Sequence, residues 1–240
     1  FILMTTGMST IAGTVFILYA SILNEIVPNV IAHLIISSIL SGISGVMVSL
    51  IIIPPKNSDG IKNITIEFQK FTNFMDAVVN GIKVGLNVLL SIVATLIVFL
   101  AIIYLLNSFL IYIPSPTNEE FSLQMILGIL MAPIMWLTGL NWQEAIIAGN
   151  LMGIKTVLNE LIAFISMSQL NEGDLSERSK IITLYALCGF ANFGSLGILI
   201  SGLIAILPKR REEILELGFK SLVAGTLSTL ITASVIGIVL

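Results

Sequence analysis

Charge is what this sequence has least of. Asp, Glu, Lys and Arg together make up 10% of its 240 residues, whereas an ordinary soluble domain carries roughly 25%, which argues against a water-soluble fold. The 11 basic and 14 acidic residues sit almost entirely in a few short connections between apolar stretches, so the formal net charge of −3 marks no nucleic-acid surface. A single cysteine, Cys188, excludes an intrachain disulfide. A single histidine, His33, leaves no Cys/His cluster from which a zinc site could be built, and metal enzymology has no foothold. The chain also lacks the basic leader of a signal peptide. It begins at Phe1 inside an apolar run and reads as a fragment whose upstream part is missing.

Apolar sequence is what it has in abundance: hydrophobic residues are 56% of the total and the mean hydropathy is +1.05. A membrane-crossing helix needs about 20 mostly apolar residues to span a hydrocarbon core of roughly 30 Å, and several runs qualify. The expected class is an all-α, multi-pass membrane protein with the lipid bilayer as its solvent. Residues 1–53 hold two crossings. In the first, MTTGMSTIAGTV at 4–15 crowds glycine, serine and threonine into greasy sequence and predicts a discontinuous helix; the second ends at Pro54-Pro55, which cannot continue a helix. Residues 54–84 give a polar loop, 56–70, and a stretch, 71–83, that sets Phe71, Phe74, Val78 and Ile82 opposite Asp76, Asn80 and Lys83. That pattern suits a helix lying in the interface, with Asp76 solvated. Residues 85–112 are almost purely aliphatic and form a long crossing helix.

Residues 113–180 open with an apolar stretch at 121–140 carrying Pro133 and Trp136, then a polar break at 141–144. The following 145–170 are too long for a loop yet are interrupted by Lys155, Asn159 and Glu160. A re-entrant helical hairpin explains this, since its polar tip then sits in a protein-lined cavity and avoids lipid. Residues 181–240 supply a span at 181–207, broken by GFANFGSLG at 189–197, and a last helix from about 216 to 240. Lysines and arginines favour cytoplasmic loops, and Lys56, Lys62, Lys70, Lys83, Lys209, Arg210, Arg211 and Lys220 fall in two connections, while 24–29 and 113–120 have none. With the basic pair cytoplasmic, the two glycine-rich breaks lie in helices of opposite direction. Residues 7–13 and 189–195 share one order of classes: glycine, large apolar, small, polar, large apolar, small, small. Small-residue packing between membrane helices would produce the same composition. Antiparallel broken helices beside a hairpin with an ionisable tip match the plan of inverted-repeat secondary transporters, which hold substrate and ion on unwound backbone.

Glu160 is the sharpest single residue. A carboxylate at mid-bilayer costs at least about 2.5 kcal/mol, so it faces a bundle interior or a wet cavity and has a task. It could instead pair with Lys155. Asn159 orients that carboxylate or bonds backbone freed at the tip. Asn192 and Ser195 are three apart, share a helical face, and offer an amide and a hydroxyl suited to sugar hydroxyls or to interhelical bonding. His33 reads as a bundle-facing polar contact, and Cys188 as either cavity-facing or a small buried apolar group.

These residues carry a resemblance to the concentrative nucleoside transporter family over essentially the whole chain. MTTGMSTIAGTV is similar to the family's first broken-helix motif, GLNWQEAIIAGNLMGIKTVLNELIAF to its second hairpin, and ALCGFANFGSLGILISGL with PKRREEILELGFKSLVAGTLSTLITA to its last two helices. The resemblance implies ion-coupled symport of nucleosides, with this chain as the C-terminal half that includes the ribose-binding part of the site. It implies that Glu160 accepts hydrogen bonds from the ribose, that Asn192 and Ser195 complete the sugar site, that Phe190 lines it, and that Val15 packs on the base. It implies a sodium ion, with a proton as the alternative, at the Thr10 side chain and the Ile11 backbone. It also implies a homotrimer in the cell membrane, in which 85–112 is fixed scaffold and the hairpin with both broken helices moves. The first hairpin, with the base-recognition and remaining ion ligands, is expected upstream of Phe1, and Thr6 and Ser9 stand where the motif has glycine and alanine. Two rival readings remain: a non-transporting structural or gating domain, and an intramembrane hydrolase using Glu160, which lacks a Ser/His/Asp or metal partner.

Overall fold

The computed structural model describes residues 1–55, 71–113 and 121–240, and the regular structure among them is helical. The polar loop at 56–70 and residues 114–120, with the lysines and prolines they carry, lie outside the described residues. Four helical stretches, Ile2–Leu23, Val30–Ile52, Phe74–Leu110 and Pro208–Val239, are long and apolar enough to cross a membrane.

The first stretch is in two pieces, α1 (Ile2–Ser9) and α2 (Gly13–Leu23). Its hydroxyls compete for helix carbonyls: Thr6 Oγ1 donates to the Ile2 C=O at 3.0 Å and Thr10 Oγ1 to the Thr6 C=O at 2.9 Å. Such local bonding loosens a helix, and here the chain leaves helical geometry at Thr10 and Ala12, both extended. The second apolar run is α3 (Val30–Ile52), which stops at Ile53, the residue before Pro54, as the steric conflict between a proline ring and a preceding helical residue requires.

The next stretch corrects the sequence reading. An interfacial helix at 71–83 and a separate crossing at 85–112 were expected; Phe74–Leu110 is one helix of 37 residues, α4. At about 1.5 Å per residue it runs roughly 55 Å. Gly81 and Gly85 do not interrupt it, because a glycine costs a helix only about 1 kcal/mol and no proline is present. Asp76 is more than a solvated charge: Asn73 caps the helix by accepting from the Asp76 N–H at 2.9 Å, and the Asp76 carboxylate accepts from the Thr72 N–H at 2.9 Å and its hydroxyl at 3.1 Å. Of all α4, Ile103 alone is buried within this chain.

α5 (Leu123–Leu137) and α6 (Trp142–Val157) lie in backbone contact. A Cβ on Gly149 would stand 2.7 Å from the Ala132 backbone, so glycine is what lets these helices meet. α6 turns through Leu158 and Asn159 into α7 (Glu160–Ser168), which makes the helical hairpin. α8 (Glu177–Leu187) and α9 (Phe193–Ile206) follow, parted by residues 188–192. Here too the expectation is corrected: a break over 189–197 was expected, yet 193–197 are helical. Asn192 caps α9, and the later glycines serve packing, with Gly194 against Leu96 and Gly197 against Thr95 and Phe99 of α4. After a 3-10 turn (Pro208–Arg210), α10 (Arg211–Val239) begins five residues before the expected 216. Glu212 and Glu213 in its first turn suit the positive end of a helix dipole. α10 packs along α3, α1 and α8, and a polar seam of Ser41 and Ser44 meeting the Thr232 hydroxyl at 3.2 and 3.4 Å joins α3 to α10.

Candidate functional site

The hairpin tip positions Glu160. Asn159 is the N-cap of α7, and its side chain accepts from the Ile162 N–H at 2.9 Å; it therefore satisfies freed backbone and does not orient the carboxylate. That cap sets Glu160 at the first helical position, where the helix dipole favours an anion by about 0.3–1 kcal/mol. Glu160 is 4% exposed. Its Oε1 accepts from the Tyr19 hydroxyl at 2.5 Å and its Oε2 from Asn192 Nδ2 at 2.9 Å. Tyr19 belongs to α2 and Asn192 is the N-cap of α9, with Oδ1 taking the Ser195 N–H at 2.7 Å. The Tyr19 ring leans on Phe164 of α7, centroids 5.1 Å apart and tilted by 55°. One carboxylate thus links the hairpin to both broken helices. An ionised carboxylate accepts at about four lone-pair positions, so each oxygen keeps room for a further donor.

The two helix breaks touch. The Phe190 N–H donates to the Thr10 C=O at 3.3 Å. Residues 7–13 and 189–195 do not break in register, however: in the first the unwound residues are 10–12, in the second 188–192. The shared order of residue classes therefore marks where the two segments approach each other, not equivalent unwinding.

The structure brings Glu160 and Asn192 into direct contact and joins Ser195 to them through its backbone N–H. Phe190 is half-buried in the second break, and Val15 packs against the main core one turn before Tyr19 on α2. At the position expected for a cation, the Thr10 hydroxyl is turned along its own helix to Thr6, and Ile11 lies in the non-helical stretch before α2. A hydroxyl and a carbonyl are hard oxygen donors, yet hard cations take about six or more oxygens. These two residues fit as part of such a shell, and the remainder must come from elsewhere.

Three partnerships are not legible in the sequence, although Lys155 and the polar role of His33 are. Tyr19 is the donor at the shortest bond to Glu160; the available signal was a phenol in an apolar helix, which needs a partner when buried. Lys155 makes no ion pair with Glu160, and its Nζ donates to the Ala186 C=O at 2.9 Å. Tyr185 pairs with His33, whose Nδ1 lies 3.2 Å from the phenol oxygen with the rings edge-on, a contact between α8 and α3. Cys188 is fully buried in the main core.

Residues 33–237 match the family described as the C-terminus of Na+-dependent nucleoside transporters. The nucleoside permease NupC of Helicobacter pylori is 34% identical over 243 residues, which cover 99% of this chain and 57% of that protein. Sodium/nucleoside cotransporter 1 of Rattus norvegicus is 30% identical over 258 residues, 99% of this chain and 39% of that protein. Among solved structures, a variant of CNTnw in an outward-facing state superposes with a TM-score of 0.86 at 31% identity, over 99% of this chain and 57% of that one. The chain thus spans little more than half the length of NupC and of CNTnw, and less of the Rattus norvegicus protein.

Proposed function

Since the chain belongs to the family of Na+-dependent nucleoside transporters, as their C-terminal half, we propose that it forms the sugar-recognising side of a site for ion-coupled nucleoside symport. The observation that carries this reading is the buried Glu160 carboxylate, held by Tyr19 of α2 and by Asn192 at the second break, where the hairpin meets both broken helices. A nucleoside is neutral at its ribose and presents vicinal hydroxyls. Those hydroxyls would donate to the free lone pairs of Glu160, while the Ser195 hydroxyl and the Asn192 amide hold the sugar from the other side. Phe190 and Val15 would supply apolar surface for the ribose face and the base. When bound, sodium would supply positive charge to the oxygens of Thr10 and Ile11 beside the first break; a proton is the alternative coupling ion.

In this reading α6–α7 is a re-entrant hairpin in a multi-pass protein of the cell membrane, and the broken helices α1–α2 and α8–α9 are members of an inverted repeat. Each is followed by an unbroken long helix, α3 and α10, which supports the pairing. The apolar and exposed flank of α4 suits a fixed scaffold in a homotrimer. Coupling requires that a ligand bind the two transport states with different affinity, and a hairpin that closes over its own acidic residue provides such a difference.

The test is uptake of radiolabelled uridine by the full-length protein. Saturable uptake that collapses when sodium is replaced by choline is the expected result. Uptake driven by a proton gradient alone would move the coupling ion to the proton. No uptake under either gradient would overturn the reading. Tyr19→Phe is a finer probe, since it removes one hydrogen bond to a charged group, an interaction of about 1.5–3 kcal/mol. The uridine KM should rise about tenfold or more with the maximal rate little changed. A KM that fell would mean that the phenol competes with the sugar for Oε1 and does not hold the carboxylate ready for it.

A further inference from the structure

One buried charge takes no part in the sugar site. Lys155 lies in the last turn of α6, is 0% exposed, and is the one basic residue buried among those described. Its Nζ donates to the Ala186 C=O at 2.9 Å and stands 3.5 Å from Thr229 Oγ1 of α10. Ala186 is next to last in α8. In an uninterrupted helix its carbonyl would accept the N–H four residues on, that of Phe190. The break removes that donor, because the Phe190 N–H crosses to the Thr10 C=O. The acceptor orphaned at the negative end of α8 receives an ammonium instead. One side chain therefore ties α6, α8 and α10 together where α8 is cut.

A neutral donor would satisfy a carbonyl equally well. An ammonium adds charge, and a charge inside the bilayer is costly even on lenient scales, so it needs a negative group to answer. Glu160 is that group: it is the one acidic residue buried among those described, and across the hairpin turn from Lys155 it holds Asn192 at one end of the α8–α9 break while Lys155 holds Ala186 at the other.

We infer that Lys155 is a positioning residue for the sugar site proposed above, fixing the hairpin against the cut end of α8 and supplying the positive charge that balances Glu160. The inference rests on that reading of the site, and its test separates the two. In the full-length transporter, Lys155→Met keeps the apolar stem and removes the charge. Its uridine KM should rise by about tenfold or more, with maximal rate and amount in the membrane within about twofold. Thr229→Val, which removes only the second oxygen, should raise KM by about two- to fivefold and serves if Lys155→Met fails to fold.

The deciding measurement is a double-mutant cycle on melting temperature in detergent with Lys155→Met, Glu160→Gln and both together. Each single variant leaves one charge buried and unanswered, so the double variant should melt above the value that the two separate drops predict. Additive drops, or a Lys155→Met variant whose maximal rate falls while KM stays, would overturn the charge-balancing role and leave the nucleoside reading intact. Non-additive drops in a protein that transports no nucleoside would do the reverse.

Discussion

Glu160→Gln should lower uridine kcat/KM by about a hundredfold or more while leaving a folded protein. Two sugar hydroxyls bonding to a charged acceptor are each worth about 1.5–3 kcal/mol, and each 1.4 kcal/mol is a factor of ten. Glutamine preserves shape and volume but accepts at one oxygen only and adds two donors. Its amide cannot point its NH2 at Asn192, because Asn192 Nδ2 already donates there and Asn192 Oδ1 is committed to the Ser195 N–H at 2.7 Å. Turning Asn192 over would cost α9 its cap, worth roughly 1 kcal/mol. The glutamine must therefore turn its NH2 toward Tyr19, whose hydroxyl then loses its acceptor. Helix packing survives this rearrangement, whereas the acceptor positions offered to a sugar fall to those of one neutral oxygen. Initial uptake rates, paired with melting temperature with and without uridine, read both consequences. Wild-type protein should melt higher with nucleoside, and the variant should lose that shift. Unchanged uptake would remove Glu160 from the site.

The parts of the fold legible in the sequence were those written in composition. Long apolar runs mark α3 and α4 because burial in lipid needs length and little else, and Pro54-Pro55 states where α3 stops. The continuity of α4 was hidden, because the change at Gly85 from an amphipathic to a uniformly aliphatic pattern looks like a boundary. A helix propagates through such a change as long as nothing removes its hydrogen bonds. The second break looks longer in the sequence than it is for a related reason. Gly194 and Gly197 are indistinguishable in sequence from unwinding glycines, yet they accommodate Leu96, Thr95 and Phe99 of α4.

At the candidate site, Glu160 stands out by the rarity of a carboxylate in apolar sequence, and Asn192 by its place three residues before Ser195 in the second glycine-rich break. Tyr19 could not be found by spacing, since its partner is 141 residues away. Lys155 misled by being near in sequence. The turn at Leu158 and Asn159 reverses the chain between it and Glu160, so nearness along the backbone does not make a direct ion pair, and the ammonium bonds the Ala186 C=O instead. The orphan carbonyl that claims Lys155 exists only because α8 stops where it does.

Gly189→Ala is the second substitution with a large expected effect, because it strikes the contact between the two breaks. A methyl group there would stand 2.7 Å from the Ser9 carbonyl oxygen, 3.1 Å from its carbon and 2.7 Å from Thr229 Cγ2. Neither neighbour can step aside cheaply. The Ser9 hydroxyl donates to the Ser41 C=O at 3.0 Å, which anchors the end of α1 on α3. Thr229 is β-branched and stiff, and its hydroxyl donates to the Thr226 C=O at 3.0 Å while also facing Lys155. The added methyl must therefore push the two unwound segments apart, stretching a Phe190 N–H to Thr10 C=O bond that is already 3.3 Å long. Overpacking of this kind costs about 1–3 kcal/mol. Separation of the breaks also displaces Asn192 from Glu160 and the Thr10 and Ile11 oxygens from their setting. Uptake should fall about tenfold or more, with a lower melting temperature in detergent. Gly202→Ala, in α9 with open space around its Cβ position, should melt no lower than wild type, since alanine is favoured in a helix by up to about 1 kcal/mol. Equal behaviour of the two variants would mean that the breaks do not rest on each other, and that the polar groups between the hairpin and the two helices are held by something other than this contact.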